Sequence, residues 1–216
     1  MAGQDAGHAE DFDQLLARIR GCRLCTDLPL GPNPVLRARS TARLLIVGQA
    51  PGTKVHQSGV PWSDRSGDRL RYWTGLDSAT FNDCTRVAIL PIGLCYPGRH
   101  PKGGDAPPRP ECAPLWHERL MHAMPEIRLT LLVGFHAQTY ALGRGSLTTR
   151  VRGFAEYLPA RFPLPHPSWR VAGWKHAIRG LARRSCQPCG TRSGRHLRQI
   201  DRSLRSILQG RIRSLR

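Results

Sequence analysis

The sequence predicts an α/β domain, a three-layer sandwich with a mainly parallel central sheet of about four strands and helices on both faces. Four short apolar stretches, bounded by glycine, proline or charged residues, suit buried strands. Segments with apolar residues at helical spacing alternate with them, an order typical of parallel sheets. The chain has 216 residues, 40% of them hydrophobic, which is enough for one such domain and too few for two large ones.

The predicted elements begin with a helix over residues 9–19, where apolar side chains recur at helical spacing. The first strand follows near Arg43, and a helix begins at Ser66, which is a suitable N-cap. The remaining strands are predicted over residues 87–92, 129–134 and 157–164, and further helices over residues 114–124 and 135–142. Strands and helices therefore alternate as far as residue 164.

Two polar loops follow predicted strands and should emerge at the same edge of the sheet. The first strand ends in Gly48-Gln49-Ala50-Pro51-Gly52, whose glycines and proline favour a tight turn with accessible backbone. The fourth strand ends in a loop over residues 165–170 that contains His166. Ligands of open parallel sheets bind at the carboxyl ends of the strands, so we expect a functional site here. The first loop, taken alone, is more typical of an ordinary strand-to-helix turn.

The net charge of +18 is typical of proteins that bind nucleic acid, but it is unevenly distributed. Residues 171–216 contain 12 Lys and Arg against one acidic residue, a net charge of +11, which leaves +7 for residues 1–170. We therefore divide the chain into a polar leader over residues 1–14, an α/β domain over residues 15–170 and a basic tail over residues 171–216.

The cysteines are the second group of candidate functional residues. No apolar run approaches the roughly 20 residues that span a bilayer, and the N-terminus is polar, so we expect a cytoplasmic protein without structural disulfides. Cys22 and Cys25 form a C-x-x-C pair, Cys95 follows the second strand, and Cys112 lies beyond a long Pro/Gly-rich loop. Four such ligands suit zinc or an iron–sulfur cluster that would anchor this loop, and spacing alone does not separate the two metals. Buried structural thiols are the other interpretation.

Taken together, these motifs resemble the uracil-DNA glycosylase superfamily. The first loop, the segment Gly59-Val60-Pro61-Trp62, residues 66–70, the four cysteines and His166-Pro167-Ser168 occur in its order. The resemblance covers roughly residues 15–170 and is closest to the iron–sulfur branch, whose two motifs are Gly-Glu-Ala-Pro-Gly and His-Pro-Ser. It implies a DNA glycosylase that flips uracil out of DNA and hydrolyses its N-glycosidic bond, which starts base-excision repair. It also implies a structural 4Fe-4S cluster held by Cys22, Cys25, Cys95 and Cys112.

The resemblance also implies roles for residues of both loops. Trp62 stands where the family places an aromatic side chain that stacks on the flipped base. His166 would donate a hydrogen bond to the uracil carbonyl oxygen that gains charge. The base site would be lined by Gly48, Ala50, Pro51 and Gly52. The DNA phosphates would be contacted by Ser168 and Arg170.

Two positions depart from the family's motifs. Gln49 stands where the iron–sulfur branch has Glu, and Ala50 stands where other relatives have Asp. A glutamine can position a water without deprotonating it, so Gln49 is one candidate for that role, with Asp64 and His56 as the alternatives. Asp64 is also suited to capping a helix. The second departure is Pro91, near the place of an Asn that reads uracil in the family, so the base specificity can be altered.

The expected protein is a monomeric glycosylase that acts on single- or double-stranded uracil-containing DNA. The two departures leave two other functions as alternatives. One is a non-catalytic relative that binds uracil-containing or abasic DNA, and another is a metal-stapled nucleotide-binding module. Zinc is the alternative to the iron–sulfur cluster. The basic tail is interpreted either as a disordered DNA-binding arm or as the product of a frame shift. Plausible codons for residues 176–190, read in the neighbouring frame, encode the C-terminal segment common in this branch.

Overall fold

The computed structural model describes residues 11–168, 206 and 208–213, and a four-stranded sheet forms its centre. The strands are β1 (Leu44–Val47), β2 (Val87–Ile89), β3 (Leu129–Val133) and β4 (Arg161–Leu164). The helices are α1 (Phe12–Arg20), α2 (Thr53–Ser58), α3 (Arg65–Thr74), α4 (Ser78–Asn82), α5 (Cys112–His122), α6 (Phe135–Leu142) and α7 (Leu147–Arg152), and a 3₁₀ turn follows at Phe154–Tyr157. Residues 208–213 are also helical.

The sheet is parallel throughout, with the strand order β2-β1-β3-β4. Leu44 of β1 is in register with Val87 on one side and Leu129 on the other. All residues of β1 and β2 are buried, which is typical of strands covered by helices on both faces. Because the strands that follow β1 in the chain lie on opposite sides of it, a crevice opens at the carboxyl ends of the central strands.

Hydrophobic clusters cover both faces of the sheet. On one face Leu44 and Ile46 pack with Trp73 of α3 and Phe81 of α4. On the other face lie Leu45 and Val47, together with residues of α1 and α5 such as Ile19 and Leu120. Burial of each large apolar side chain contributes about 1.5–3 kcal/mol to stability, so both layers stabilise the fold. The predicted α/β three-layer architecture is confirmed.

The helices around the first loop differ from the prediction. The N-cap of α3 lies two residues before the predicted N-cap Ser66, because Asp64 takes this place and its Oδ1 accepts a hydrogen bond from the Gly67 N–H at 2.9 Å. The short helix α2 was not predicted at all. It starts directly after Gly52 and ends at Ser58, and its C-cap is Gly59, whose φ of 67° only glycine adopts without strain.

Two strands are shorter than predicted. Strand β2 ends at Ile89 rather than residue 92, two residues before Pro91, which has no N–H to donate to a neighbouring strand. Strand β4 begins at Arg161, because residues 154–157 form the 3₁₀ turn that precedes it. Both strands still deliver their following loops to the same edge of the sheet as β1.

The ends of the chain are only partly described. Helix α1 begins at Phe12, so residues 12–14 belong to a helix rather than to the leader. The predictions for the basic tail fall mostly outside the described residues, but Leu208 is buried in the core cluster with Trp73, and Ile212 packs against that cluster. In the described part of the chain, no helix is long and apolar enough to cross a bilayer.

Candidate active site

A cavity of about 430 Å³ lies at the carboxyl ends of the strands, within the size range of small-molecule sites. The loop after β1, residues 48–52, forms one wall, and His166 and Ser168 from the loop after β4 form another. Trp62 and Pro91 line the space between these walls. The structure thus brings together the two loops that the sequence predicts at this edge.

The indole of Trp62 is held in the cavity by backbone contacts. Trp62 has a φ of 59°, which is uncommon for a residue other than glycine. A Cβ at Gly67 would lie 1.8 Å from the Trp62 carbonyl oxygen, and one at Gly48 would lie 3.0 Å from the indole Cζ2. The two glycines therefore allow the turn before α3 to close against the end of β1. The ring centroid of Trp62 lies 6.0 Å from that of His166.

Three hydrogen bonds fix the chain on both sides of His166. The Gly134 N–H and the buried Gln138 Nε2 both donate to the Leu164 carbonyl, at 2.9 Å and 2.8 Å. Arg69 Nη1 of α3 donates to the Ser168 carbonyl at 3.0 Å. These bonds hold the imidazole at the cavity wall through the backbone on both sides of it.

The electrostatic environment keeps His166 neutral. Burial lowers the pKa of His166, and the nearby Asp64 carboxylate opposes that shift only in part. A neutral imidazole has one N–H to donate, and it carries no positive charge that would neutralise a developing anion. The ring is therefore suited to hydrogen bonding with a carbonyl oxygen of a ligand.

Comparison with known protein families adds a finding to this geometry. The family model of the Uracil DNA glycosylase superfamily matches residues 37–186, well over half of the chain. The chain belongs to this superfamily. Superfamily members are typically DNA glycosylases, hydrolases that act on DNA, and the matched segment contains every residue that lines the cavity except Val35. The matched residues include Cys95 and Cys112 but not Cys22 and Cys25, and the family description names no metal.

The residues predicted to position a water lie in different surroundings. Gln49 lines the cavity, but its Nε2 donates to the Ala106 carbonyl at 3.0 Å. Asp64 also lines the cavity, with one carboxylate oxygen engaged in capping α3. His56 does not line it, because α2 turns Val55 toward the cavity and leaves the His56 ring beside Tyr96, with centroids 6.2 Å apart. The prediction that His56 is a candidate water-activating residue is therefore not supported by its position.

The remaining predicted residues are distributed as follows: Gly48, Ala50, Pro51, Gly52 and Ser168 line the cavity, and Arg170 lies outside the described residues. Pro91 lines the cavity too, and its carbonyl oxygen lies 2.9 Å from His117 Nε2, a buried ring. A proline offers no side-chain amide to a base, so Pro91 supplies shape and a fixed carbonyl rather than a hydrogen-bond donor.

Sequence reasoning missed Asp105, Gly103 and Gly104, which also line the cavity. They belong to the Pro/Gly-rich loop over residues 96–110, for which the sequence predicts an anchor but no part in the base site. Asp105 is the one acidic residue of that loop, and this was the available signal. Its proximity to the β1 loop depends on a turn that no motif in the sequence announces.

The four predicted metal ligands line a separate small cavity of about 20 Å³. Burial raises the pKa of Cys25 and Cys95, and raises that of Cys112 to about 11. The Leu94 N–H donates to Cys112 Sγ at 3.3 Å. Within the described residues no group of three or more His, Cys, Asp or Glu side chains is arranged to hold a metal ion as it stands. The donor set nevertheless fits zinc or an iron–sulfur cluster, since four thiols from three parts of the chain share one cavity.

Proposed function

We propose that this protein is a DNA glycosylase that flips uracil out of DNA and hydrolyses its N-glycosidic bond. The observation that carries the proposal is the pairing of Trp62 and His166 across one cavity, with ring centroids 6.0 Å apart. An aromatic face and a polar ring at this spacing suit a flat, polar base that has left the helical stack. Membership of the superfamily supports action on DNA.

The chemistry requires little from the protein beyond stabilising charge. Cleavage of the bond between uracil and deoxyribose passes through an oxocarbenium-like sugar and releases the base as an anion. The indole of Trp62 would stack on the base, and the N–H of His166 would donate to the carbonyl oxygen on which charge develops. The backbone of residues 48–52, held beside Trp62 by Gly48, would complete the wall around the base.

We further infer that the four cysteines hold a structural 4Fe-4S cluster, as in the branch that the motifs resemble. Such a cluster would anchor the loop between Cys95 and Cys112, one side of which lines the active-site cavity. Anaerobically purified protein should be brown with broad absorbance in the visible blue. Colourless protein with stoichiometric zinc would contradict the iron assignment and keep the anchoring role.

The test of the proposed activity is alkaline cleavage of a uracil-containing oligonucleotide after incubation with the protein. A strand break at the uracil position, in single-stranded or duplex DNA, is the expected result. The matched oligonucleotide with thymine at that position should stay intact. No break in either substrate would contradict the proposal.

A second candidate function is non-catalytic binding of uracil-containing or abasic DNA. It is favoured by the state of the β1 loop, in which Ala50 has no functional group and the Gln49 amide is bonded to Ala106. In the same experiment this function would appear as a shifted but intact strand. Such a result would leave the cavity as a base-recognition site without turnover.

A further inference from the structure

The loop over residues 96–110 forms a closed turn at the mouth of the active-site cavity. Arg99 and Asp105 pair as an antiparallel bridge, the His100 N–H donates to the Gly104 carbonyl at 2.9 Å, and the Ala106 N–H donates to the Gly98 carbonyl at 2.8 Å. Glycines at 98, 103 and 104 adopt positive φ angles that permit the turn. The position of Asp105 is therefore set by backbone hydrogen bonds on both sides of it.

A second set of contacts ties this turn to the first loop of the site. Gln49 Nε2 donates to the carbonyl of Ala106, the residue after Asp105, at 3.0 Å. A Cβ at Gly52 would lie 3.5 Å from Asp105 Oδ2, so the carboxylate lies against the backbone of the β1 loop. Gln49, which replaces the glutamate of the family motif, thus holds the turn that carries Asp105 at the cavity.

Two carboxylates line the cavity within the described residues, and they differ in how they are used. Asp64 Oδ1 accepts the capping hydrogen bond of α3. The Asp105 carboxylate makes no hydrogen bond or ion pair among the described residues, and Asp105 retains access to solvent. Of the two, Asp105 has both carboxylate oxygens available to a water at the cavity mouth, whereas Asp64 has one of its oxygens engaged in the cap.

We propose that Asp105 is the catalytic residue that accepts a proton from the attacking water, a role that rests on the proposed glycosylase function. The bond between C1′ and the base nitrogen breaks, and its electron pair leaves with the uracil. A water oxygen then bonds to C1′, and the water proton passes to the Asp105 carboxylate, which later returns it to solvent or to the released base. Water is the only co-reactant, so the step balances.

The electrostatics of the turn agree with this role. Partial removal of water from around the carboxylate raises the pKa of Asp105, Arg99 opposes the shift, and Asp64 adds to it. A carboxylate with a raised pKa is a stronger base than one in bulk water. Gln49 is then a positioning residue, which acts by holding the Asp105 turn rather than by touching the water.

The experiment compares D105N with the wild-type protein in single-turnover cleavage of a uracil-containing oligonucleotide. We expect the cleavage rate to fall by about a hundredfold or more, the usual scale for loss of a general base, while affinity for the same DNA stays within about threefold. D105E keeps a carboxylate and should be at least about tenfold faster than D105N. Glu126, at the opposite edge of the sheet before β3, provides the matched control E126Q, which should cleave like the wild type.

The possible outcomes separate this inference from the proposed function. Wild-type protein that cleaves, together with D105N that cleaves within about threefold of it, would overturn the role of Asp105 alone. Parallel loss of cleavage and DNA affinity in D105N would also overturn it, in favour of a DNA-holding turn. Wild-type protein that leaves uracil DNA intact would overturn the proposed function and the role of Asp105 with it.

Discussion

The loop between Cys95 and Cys112 has both of its ends at the cysteine-lined cavity and its middle, residues 103–105, at the active-site cavity, yet the two cavities are built in different ways. In the active-site cavity, backbone contacts fix the main residues. Gly67 has no side chain and so leaves room for the Trp62 carbonyl, and the Leu164 carbonyl before His166 accepts a hydrogen bond from the Gly134 N–H. In the cysteine-lined cavity, four thiols surround a small space without adopting a ligating arrangement. Protein contacts alone put the groups of the active-site cavity in place. In the cysteine-lined cavity these contacts only bring the four thiols close to one another.

This difference indicates which site tolerates which kind of change. Loss of one group from the active-site cavity should remove a single chemical contribution, because the surrounding backbone keeps its own hydrogen bonds. Loss of one thiol should affect the loop as a whole, because the donors act as a set.

The largest expected effect is that of His166→Ala on cleavage. We expect a loss of about a hundredfold or more in single-turnover rate, with DNA binding largely kept, because one donor to a developing anion is removed. The matched control is His122→Ala, an exposed histidine near the end of α5. Equal losses of binding and cleavage would instead identify His166 as a scaffold residue, which would break the distinction between the two sites.

The next effect is that of Trp62→Ala on affinity for uracil-containing DNA. Binding should weaken by about 1–3 kcal/mol, the usual contribution of a base stacked on an aromatic ring. Trp62→Phe keeps an aromatic face and should retain most of the affinity. Because Trp62 also packs against the core cluster, thermal unfolding of both variants should be measured. Unchanged affinity accompanied by reduced stability would assign Trp62 to the core.

His166 and Trp62 differ in how much of their placement can be predicted from the sequence. His166 follows a short apolar strand in a recognisable motif, so its place at the sheet edge could be predicted from the strand alone. The positive φ of Trp62 and its dependence on Gly67 could not, because they result from a contact between residues five positions apart in a non-repeating turn. Local periodicity carries no information about such contacts.

Asp105 was not predicted at the site for the same reason, namely that local sequence patterns carry no information about contacts between distant loops. Asp105 reaches the cavity through a long-range contact between the loop after β1 and a turn more than 50 residues later. The helix α2 was missed because a six-residue helix between glycines has too few turns to show amphipathic spacing. The four-stranded sheet, in contrast, depends on apolar runs that are visible in the sequence.

The third prediction concerns the cysteine-lined cavity. Cys95→Ser should lower the retained metal by at least about tenfold and reduce solubility, because one of four ligands to the proposed cluster is lost. Cleavage by the fraction that retains metal should stay within about threefold of the wild type, because the anchored loop keeps Asp105 at the cavity. Cys84→Ser is the matched control, since Cys84 does not line this cavity. Full metal content in the Cys95 variant would exclude Cys95 as a ligand, and wild-type protein purified without any metal would identify the four thiols as structural.

The smallest effect is a dependence of stability on acid that comes from histidines on the active-site side. Burial lowers the pKa of His166, and also that of His117, whose ring bonds to the Pro91 carbonyl. A histidine whose folded pKa is depressed binds more protons when unfolded, so its contribution to stability is present above the unfolded pKa of about 6.5 and is lost as the pH falls below it. The free energy of unfolding should therefore decrease between about pH 7 and about pH 5, as measured by urea denaturation.

His117→Gln separates the two contributions to this acid effect. A glutamine can still donate to the Pro91 carbonyl but does not titrate, so the variant should lose part of the acid dependence and keep the fold. His122→Ala, which removes an exposed ring, should leave the dependence unchanged. An identical pH profile for His117→Gln and the wild type would exclude His117 as a source of the effect. The acid sensitivity would then have to come from His166 or from another group whose pKa differs between the folded and unfolded states.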